Sequence, residues 1–225
     1  MYISVSLEFI YRMLLQLHGM AALCLSFTIL LGVLTLAEAN TIPAGTCMYK
    51  GNKCPVYNVI SNHEGYELRY YEQSSWVATS ENVREYTGNV SRQLYFRLRD
   101  YIQGNNVNNE VLNMTVPVLT ERGNPNVNGL TTYTKYFFLT DPNAPEPRAE
   151  NVFRYNRPAF GAYVRRYGGR PNYQEKEAQL EKLKQSLQDT SLYNLDKAYF
   201  AGYNPPWDNI GRRNEVWVEA IMTNV

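Results

Sequence analysis

Residues 66–81 read YELRYYEQSSWVATSE, a stretch rich in aromatic and β-branched residues that is interrupted by Gln73, Ser74 and Ser75. Residues of these types favour strands, so the stretch predicts two strands or one bent strand. From residue 83 to residue 102, apolar side chains recur at every fourth position, which predicts an amphipathic helix. Gly104 is expected to end that helix. The first part of the fold is therefore predicted to be strands followed by a helix.

Two more strand-like runs follow, residues 111–122 and residues 130–140, joined by the turn-rich sequence GNPNVNG. They predict a hairpin. Residues 141–147, DPNAPEP, contain three prolines, which remove backbone donors and exclude a helix. This segment predicts a boundary between two parts of the chain.

The same order of elements then occurs again. Strands are predicted at 152–155 and 160–167, a helix after Asn172 with a capping box to Glu175, and strands at 198–203 and 214–222. Two β-β-α-β-β halves, about 56–140 and 148–222, indicate an internal duplication. We predict an α+β fold in which the antiparallel strands of both halves close into a distorted β-barrel flanked by two α-helices. A β-sandwich is the alternative.

The N-terminal region has the features of an export signal. Residues 20–36, MAALCLSFTILLGVLTL, are uncharged and are followed by Ala37-Glu38-Ala39, a small-x-small cleavage pattern. We predict a signal peptide over residues 1–39, with translation starting at Met1 or Met20, and one secreted domain over residues 40–225. The alternative is an uncleaved signal anchor that tethers the protein to a membrane.

Export bears on the cysteines and on two glycosylation motifs. Cys47 and Cys54 are expected to form a disulfide in an oxidising compartment, and a free or metal-binding pair is the alternative. Asn89 and Asn113 each begin an Asn-x-Ser/Thr triplet, so both are predicted N-glycosylation sites.

Composition argues against several functional classes. The chain has 22 Lys and Arg against 21 Asp and Glu, which does not suit a protein that coats nucleic acid or an anionic membrane. Two histidines and three cysteines are few for a multi-ligand metal site or a histidine-based catalytic triad. We predict no nucleic-acid partner and no stable membrane association after signal cleavage.

Seven short segments together point to a known family. They are YELRYY at 66–71, WVATS at 76–80, YIQGN at 101–105, MTVPV at 114–118, VRRYGG at 164–169, AGYN at 201–204 and RRNEVW at 212–217. In order and spacing they resemble the SOUL haem-binding protein family, from about residue 55 to residue 219. The resemblance implies the distorted barrel with flanking helices. It also implies that haem or a free porphyrin binds in an apolar groove.

The resemblance also suggests site residues. Some family members have been thought to ligate iron through a histidine in the segment Tyr-Glu-x-Arg-His-Tyr, and Tyr70 occupies the matching position here. Haem iron accepts His, Met or Tyr, so His63 is a second candidate, and we expect no metal beyond a possible haem iron. The other candidates are an apolar wall and two basic groups for the propionates: Val90, Leu94, Leu98, Met114, Arg165 and Arg166. Plain core packing is the alternative for the apolar positions. For Tyr70 the alternative is a half-buried aromatic residue of a strand, and for His63 it is a solvated residue of a surface turn.

Three functions are compatible with these features. The leading hypothesis is a secreted carrier or scavenger of a tetrapyrrole. The second is a non-haem ligand-sensing or protein-interaction module of the same fold. The third is a hydrolase using Glu215, but the neighbouring Arg212 and Arg213 should lower the pKa of that carboxyl, whereas acid–base catalysis needs it raised. We therefore predict a binding protein without enzymatic activity.

Overall fold

The computed structural model describes residues 47–222. The predicted signal peptide lies outside these residues. At the start of the described chain, strands β1 (Met48–Tyr49) and β2 (Asn52–Lys53) form a small hairpin. The predicted disulfide between Cys47 and Cys54 is present and joins the two ends of the hairpin. Within residues 47–222, no helix is both long and apolar enough to span a bilayer.

The remaining strands form one sheet of nine antiparallel strands that curls into a half-barrel, with two helices. Along the sheet the order is β3-β4-β9-β11-β10-β6-β7-β5-β8. The elements are β3 Tyr57–His63, β4 Tyr66–Tyr71, β5 Ser74–Val83, α1 Gly88–Ile102, β6 Val118–Pro125, β7 Thr131–Leu139, β8 Phe153–Arg157, β9 Phe160–Tyr167, α2 Tyr173–Leu187, β10 Ala198–Gly202 and β11 Asn214–Glu219. The predicted α+β fold class is confirmed.

The two β-β-α-β-β series are interleaved in the sheet. The first strand of each series pairs with the second strand of the other, β4 with β9 and β8 with β5. The third strands, β6 and β10, pair with each other and join the two halves at the centre of the sheet. The boundaries of the halves, at about 56–140 and 148–222, stay a prediction.

Alternating side chains separate the sheet into two faces. The inner face is filled by large aromatic residues, among them Tyr71, Trp76 and Trp217. On the outer face, α1 packs through Leu98 and other apolar residues against β5 and β7. The second helix, α2, packs through its Leu180, Leu183 and Leu187 stripe against β9 and β11. Each helix thus covers one side of the outer face.

Several boundaries differ from the sequence-based prediction. Helix α1 begins at Gly88, because the Oγ1 atom of Thr87 accepts a hydrogen bond from the Val90 amide and caps the helix. The prediction of helix from residue 83 was wrong, since β5 continues to that residue. Strand β6 begins only at Val118, directly after Pro117, which cannot donate to a ladder. Strand β3 was not predicted.

A buried ionic network crosses the inner face. The fully buried carboxylate of Glu215 accepts hydrogen bonds from Arg69, Arg213, Tyr203 and Trp217, at 2.6–3.2 Å. Burial alone would raise the pKa of Glu215. The charges of Arg69 and Arg213 and the hydrogen bonds outweigh burial, so the pKa lies below its ordinary value. The carboxylate of Glu215 and the guanidinium groups of Arg69 and Arg213 are therefore held in their ionised forms inside the sheet.

This network predicts a large and asymmetric loss of stability. Glu215→Ala leaves the guanidinium of Arg69 buried without its inner carboxylate, which should lower the free energy of unfolding by about 3–5 kcal/mol in urea titrations. Glu67→Ala is the matched control, because Glu67 contacts the same guanidinium at 2.7 Å from the partly exposed rim. It should cost about 1 kcal/mol or less. Equal losses in the two variants would contradict this account.

Candidate ligand-binding cleft

A cleft of about 600 Å³ lies on the outer face of the sheet, between α1 and α2. Its floor is formed by outward side chains of the central strands β6, β7 and β10, which are Val118, Thr120, Lys135 and Phe200, and by the backbone of Gly202. The volume falls within the range of about 300–1,000 Å³ that is usual for small-molecule sites. The cleft is therefore large enough for an organic ligand rather than for an ion alone.

The walls of the cleft are largely apolar or aromatic. Tyr95 projects from α1, Met114 comes from the segment before β6, and Tyr167 ends β9. The loop after β10 forms the rim, where Trp207 is 80% exposed. An exposed tryptophan beside an apolar cleft offers a flat surface on which a planar ligand can stack.

One end of the floor is cationic. Lys135 is 5% exposed, and its Nζ atom lies 3.3 Å from Ser91 Oγ and 3.2 Å from Thr120 Oγ1. Burial lowers the pKa of Lys135 to about 8. Both hydrogen-bond partners are uncharged hydroxyl groups, so they leave the ammonium charge uncompensated.

A second lysine lies in the same cleft. Lys176 comes from the first turns of α2, where the helix dipole disfavours a positive charge. Its pKa is lowered first by burial and then by the positive charge of Lys135, whereas Tyr86 acts in the opposite direction. Within residues 47–222 neither lysine forms an ion pair with a carboxylate. We call Lys135 and Lys176 the lysine pair.

Of the site residues predicted from the sequence, Met114 lines the cleft. Leu94 and Leu98 are fully buried beneath α1, and Val90 is half-buried; all three lie outside the cleft lining. The helical stripe that suggested a ligand wall is therefore directed mainly at the sheet, as a packed amphipathic helix requires.

The other predicted residues lie elsewhere. His63 stacks on Tyr66 at 4.6 Å beside a separate depression that Arg165 also lines, and Arg166 lies next to His63 on the other side. Tyr70 is on the outward side of β4 and is 37% exposed. His63 lines one depression with Arg165 and another with Arg166, and none of these three residues lines the cleft. Their role in ligand binding stays a prediction.

Glu215, the residue considered for hydrolysis, does not line the cleft either. It lies on the inner face of the sheet, where hydrogen bonds from four residues hold it.

Sequence reasoning missed the lysine pair. A sequence signal for Lys135 exists, because it shares the alternation of Tyr133 and Phe137 in β7 and so interrupts a run of buried outward residues. Nothing comparable marks Lys176, which lies in a run of charged residues at the start of α2. Only the packing of α2 against the sheet distinguishes it from its neighbours.

Comparisons with known proteins agree with this fold. A family model described as SOUL heme-binding protein matches residues 52–219. Human "Heme-binding protein 2" is 29% identical over 158 residues, which are 68% of this chain and 77% of the human protein. "Heme-binding protein 1" of Xenopus tropicalis is 28% identical over 184 residues, which are 73% of this chain and 95% of that protein. Among solved structures, the EcmrR C-terminal domain matches with a TM-score of 0.53 at 11% identity, over 74% of this chain and 99% of that domain. This last similarity shows the fold alone.

The uncompensated charge of Lys135 predicts that its removal stabilises the protein. Below pH 8 the buried ammonium opposes folding, so Lys135→Met should raise the free energy of unfolding at pH 7 by up to about 3 kcal/mol, at 1.36 kcal/mol per pKa unit. Between pH 8 and the ordinary value of 10.5, the unfolded chain retains a proton that the folded chain has lost. Wild-type stability therefore rises relative to the variant over this interval, and the advantage of the variant shrinks.

Thermal and urea unfolding of both proteins from pH 6 to pH 10.5 measure this difference. Lys182→Met, at an exposed position of α2, is the matched control and should leave stability nearly unchanged at every pH. A Lys135→Met protein that is less stable than wild type at pH 7 would contradict the assignment of an uncompensated buried charge.

Proposed function

The chain belongs to the SOUL heme-binding protein family, and from that premise we propose that the cleft between α1 and α2 binds a tetrapyrrole, either haem or a free porphyrin. We further propose that the protein is an exported carrier or scavenger of this ligand. The observation that supports the proposal most directly is the cleft itself. It has a volume of about 600 Å³ and largely apolar walls, and aromatic side chains contribute to its lining.

The apolar character of the cleft suits a flat macrocycle. Burying about 400 Å² of apolar macrocycle at about 25 cal/mol/Å² contributes on the order of 10 kcal/mol before the cost of association. That cost is about 4–15 kcal/mol, so weak to moderate binding is expected from apolar contact alone. Coordination of iron is therefore not required for the ligand to bind.

Iron coordination, where it occurs, would involve residues other than histidine. His63 is the one histidine of residues 47–222 and does not line the cleft. Met114, Tyr95 and Tyr167 do line it, and thioether and phenol groups are known ligands of haem iron. Burial raises the pKa of Tyr167, and Glu175 and Glu215 add to this effect, which favours the neutral phenol.

We propose binding rather than catalysis for this fold. A general acid or base must reach the reacting group within hydrogen-bond distance. Glu215 does not line the cleft and stays ionised through its arginine partners. In the cleft itself the charged side chains are lysines, which suit recognition of an anionic group.

A side chain that fills the cleft should weaken tetrapyrrole binding. The Cβ atom of a residue at position 202 meets only the carbonyl oxygen of Val118, at 4.0 Å, so Gly202→Trp can be accommodated by the strand while its ring occupies the cleft. Titration of the purified protein with hemin should give a shifted Soret band, and metal-free protoporphyrin should bind with similar affinity. Gly202→Trp should weaken both.

Tyr70→Phe and His63→Ala serve as controls for this experiment, because both residues lie outside the cleft. Their hemin affinities should equal that of the wild type. If His63→Ala lost binding and Gly202→Trp retained it, the ligand would lie in the depression beside Arg165 instead. If the spectrum of the mixture were the sum of its components, a non-haem ligand or a protein partner would replace the tetrapyrrole in the proposal.

Export predicts N-glycosylation at two sites and cleavage of the signal peptide. Asn89, at the start of α1, and Asn113, before β6, are both exposed, so oligosaccharyltransferase products at these positions would not disturb the core. In secreting eukaryotic cells, the product in the medium should begin at residue 40 and lose mass on glycosidase treatment. Asn89→Gln and Asn113→Gln should each lower the mass of the untreated product by the mass of one glycan. A protein that stays in the membrane fraction with its leader would support the signal anchor instead.

A further inference from the structure

We propose that the lysine pair is an anion-binding pole of the cleft, which receives a carboxylate of the ligand and makes the cleft selective for planar acids over their neutral analogues. The inference rests on the proposed function for the identity of the ligand as a tetrapyrrole, whose carboxylates are its propionates. It adds the two residues that would bind the propionates, and it predicts that the affinity depends on the charge of the ligand.

The first support is the hydrogen-bonding state of Lys135. Its ammonium group has three donors, and the hydroxyl groups of Ser91 and Thr120 account for two of them. No partner for the third donor occurs within residues 47–222, although Lys135 is 95% shielded from solvent and lines the cleft. A buried cation that lacks a carboxylate is costly, and an anionic ligand group would remove that cost.

The second support is that the polar side chains around the lysine pair carry no negative charge. The side chains from each neighbouring element are Ser91 on α1, Thr120 on β6 and Lys176 on α2, with the phenol of Tyr86 close to Lys176. None of these carries a negative charge at neutral pH. The nearest acidic residues along α2 are committed elsewhere, Glu175 to the helix cap and Glu177 to Arg122 at 2.7 Å.

The third support is the position of the pole relative to the apolar walls. Lys135 and Lys176 line the same cleft as Tyr95, Met114 and Trp207. A ligand with a flat apolar body and an acidic edge can therefore contact the apolar walls and the lysine pair at the same time. A neutral ligand of the same shape would leave the two ammonium groups desolvated without a partner, which selects against it.

The charge of the pole also sets a pH dependence. Burial lowers the pKa of Lys135 to about 8, and a bound carboxylate favours the protonated form. Binding near this pH should therefore take up a proton. Affinity for an acidic ligand should be constant well below pH 8 and should fall as the pH rises above it.

The test compares protoporphyrin IX with its dimethyl ester, which has the same macrocycle without ionised carboxylates. Binding to the purified protein is followed at pH 7 and pH 9.5 through quenching of tryptophan fluorescence, with Trp207 at the rim as the exposed reporter. Wild type should prefer the acid. Lys135→Met and Lys176→Met should each weaken acid binding roughly ten-fold or more, the loss expected for one charge-assisted hydrogen bond, and should affect the ester far less.

Lys182→Met, with its side chain exposed on the same helix as Lys176, is the matched control and should retain the wild-type preference for the acid. Raising the pH to 9.5 should reduce the preference of the wild type and should have little effect on Lys135→Met. If both lysine variants bind the acid as tightly as wild type does, the anion-binding pole is overturned while the proposed tetrapyrrole function stands.

A separate probe keeps the two proposals distinguishable. If neither porphyrin binds to wild type, the proposed tetrapyrrole function fails, and the aromatic sulfonate 1-anilinonaphthalene-8-sulfonate then tests the pole directly. Fluorescence enhancement that is lost in Lys135→Met and kept in Lys182→Met supports an anion-binding pole for another planar acid. Enhancement that does not depend on Lys135, or no enhancement at all, overturns it.

Discussion

The pairing of β6 with β10 is the interaction on which the cleft depends. These two strands join the halves at the centre of the sheet, while α1 packs over β5 and β7 and α2 packs over β9 and β11. Neighbouring strands lie about 4.8 Å apart, so two uncovered strands separate the helices by roughly the width of one more helix. The gap is filled by no other element of residues 47–222, and its floor is the outward face of β6 and β10.

The sheet also separates two kinds of buried charge. On the inner face, Glu215 and Arg69 neutralise each other within a network of hydrogen bonds. On the outer face, Lys135 and Lys176 lie in the cleft, and no carboxylate of residues 47–222 forms an ion pair with either of them. Buried charges that are paired usually serve the fold, whereas buried charges without partners lower stability and are found where a protein handles a ligand. The same chain therefore uses ionic groups for structure on one face and, in our proposal, for recognition on the other.

The extent to which the sequence was informative differs between fold and site. The capping box of Asn172 and Glu175 and the leucine stripe of α2 were predicted correctly, because they depend on neighbours three or four residues apart. The start of α1 and the start of β6 were not, since a cap at Thr87 and a proline at position 117 decided them against the hydrophobic pattern. In the cleft, Met114 is a residue that the sequence had suggested, whereas the lysine pair was not suggested, because its two members are 41 positions apart and belong to different halves.

The sequence by itself determined the α+β class, the repeated order of strands and helices, and the resemblance to a haem-binding family, because periodicity, caps and motifs are local properties of a chain. It also determined that Cys47 and Cys54 could be joined, since they lie seven positions apart. Only the tertiary structure decided which apolar residues pack the core and which line a cavity. Leu98 and Tyr95 belong to one helix, yet the first is buried against the sheet and the second faces the cleft. That distinction depends on where α1 and α2 lie over the sheet, which is set by long-range strand pairing and by no local pattern.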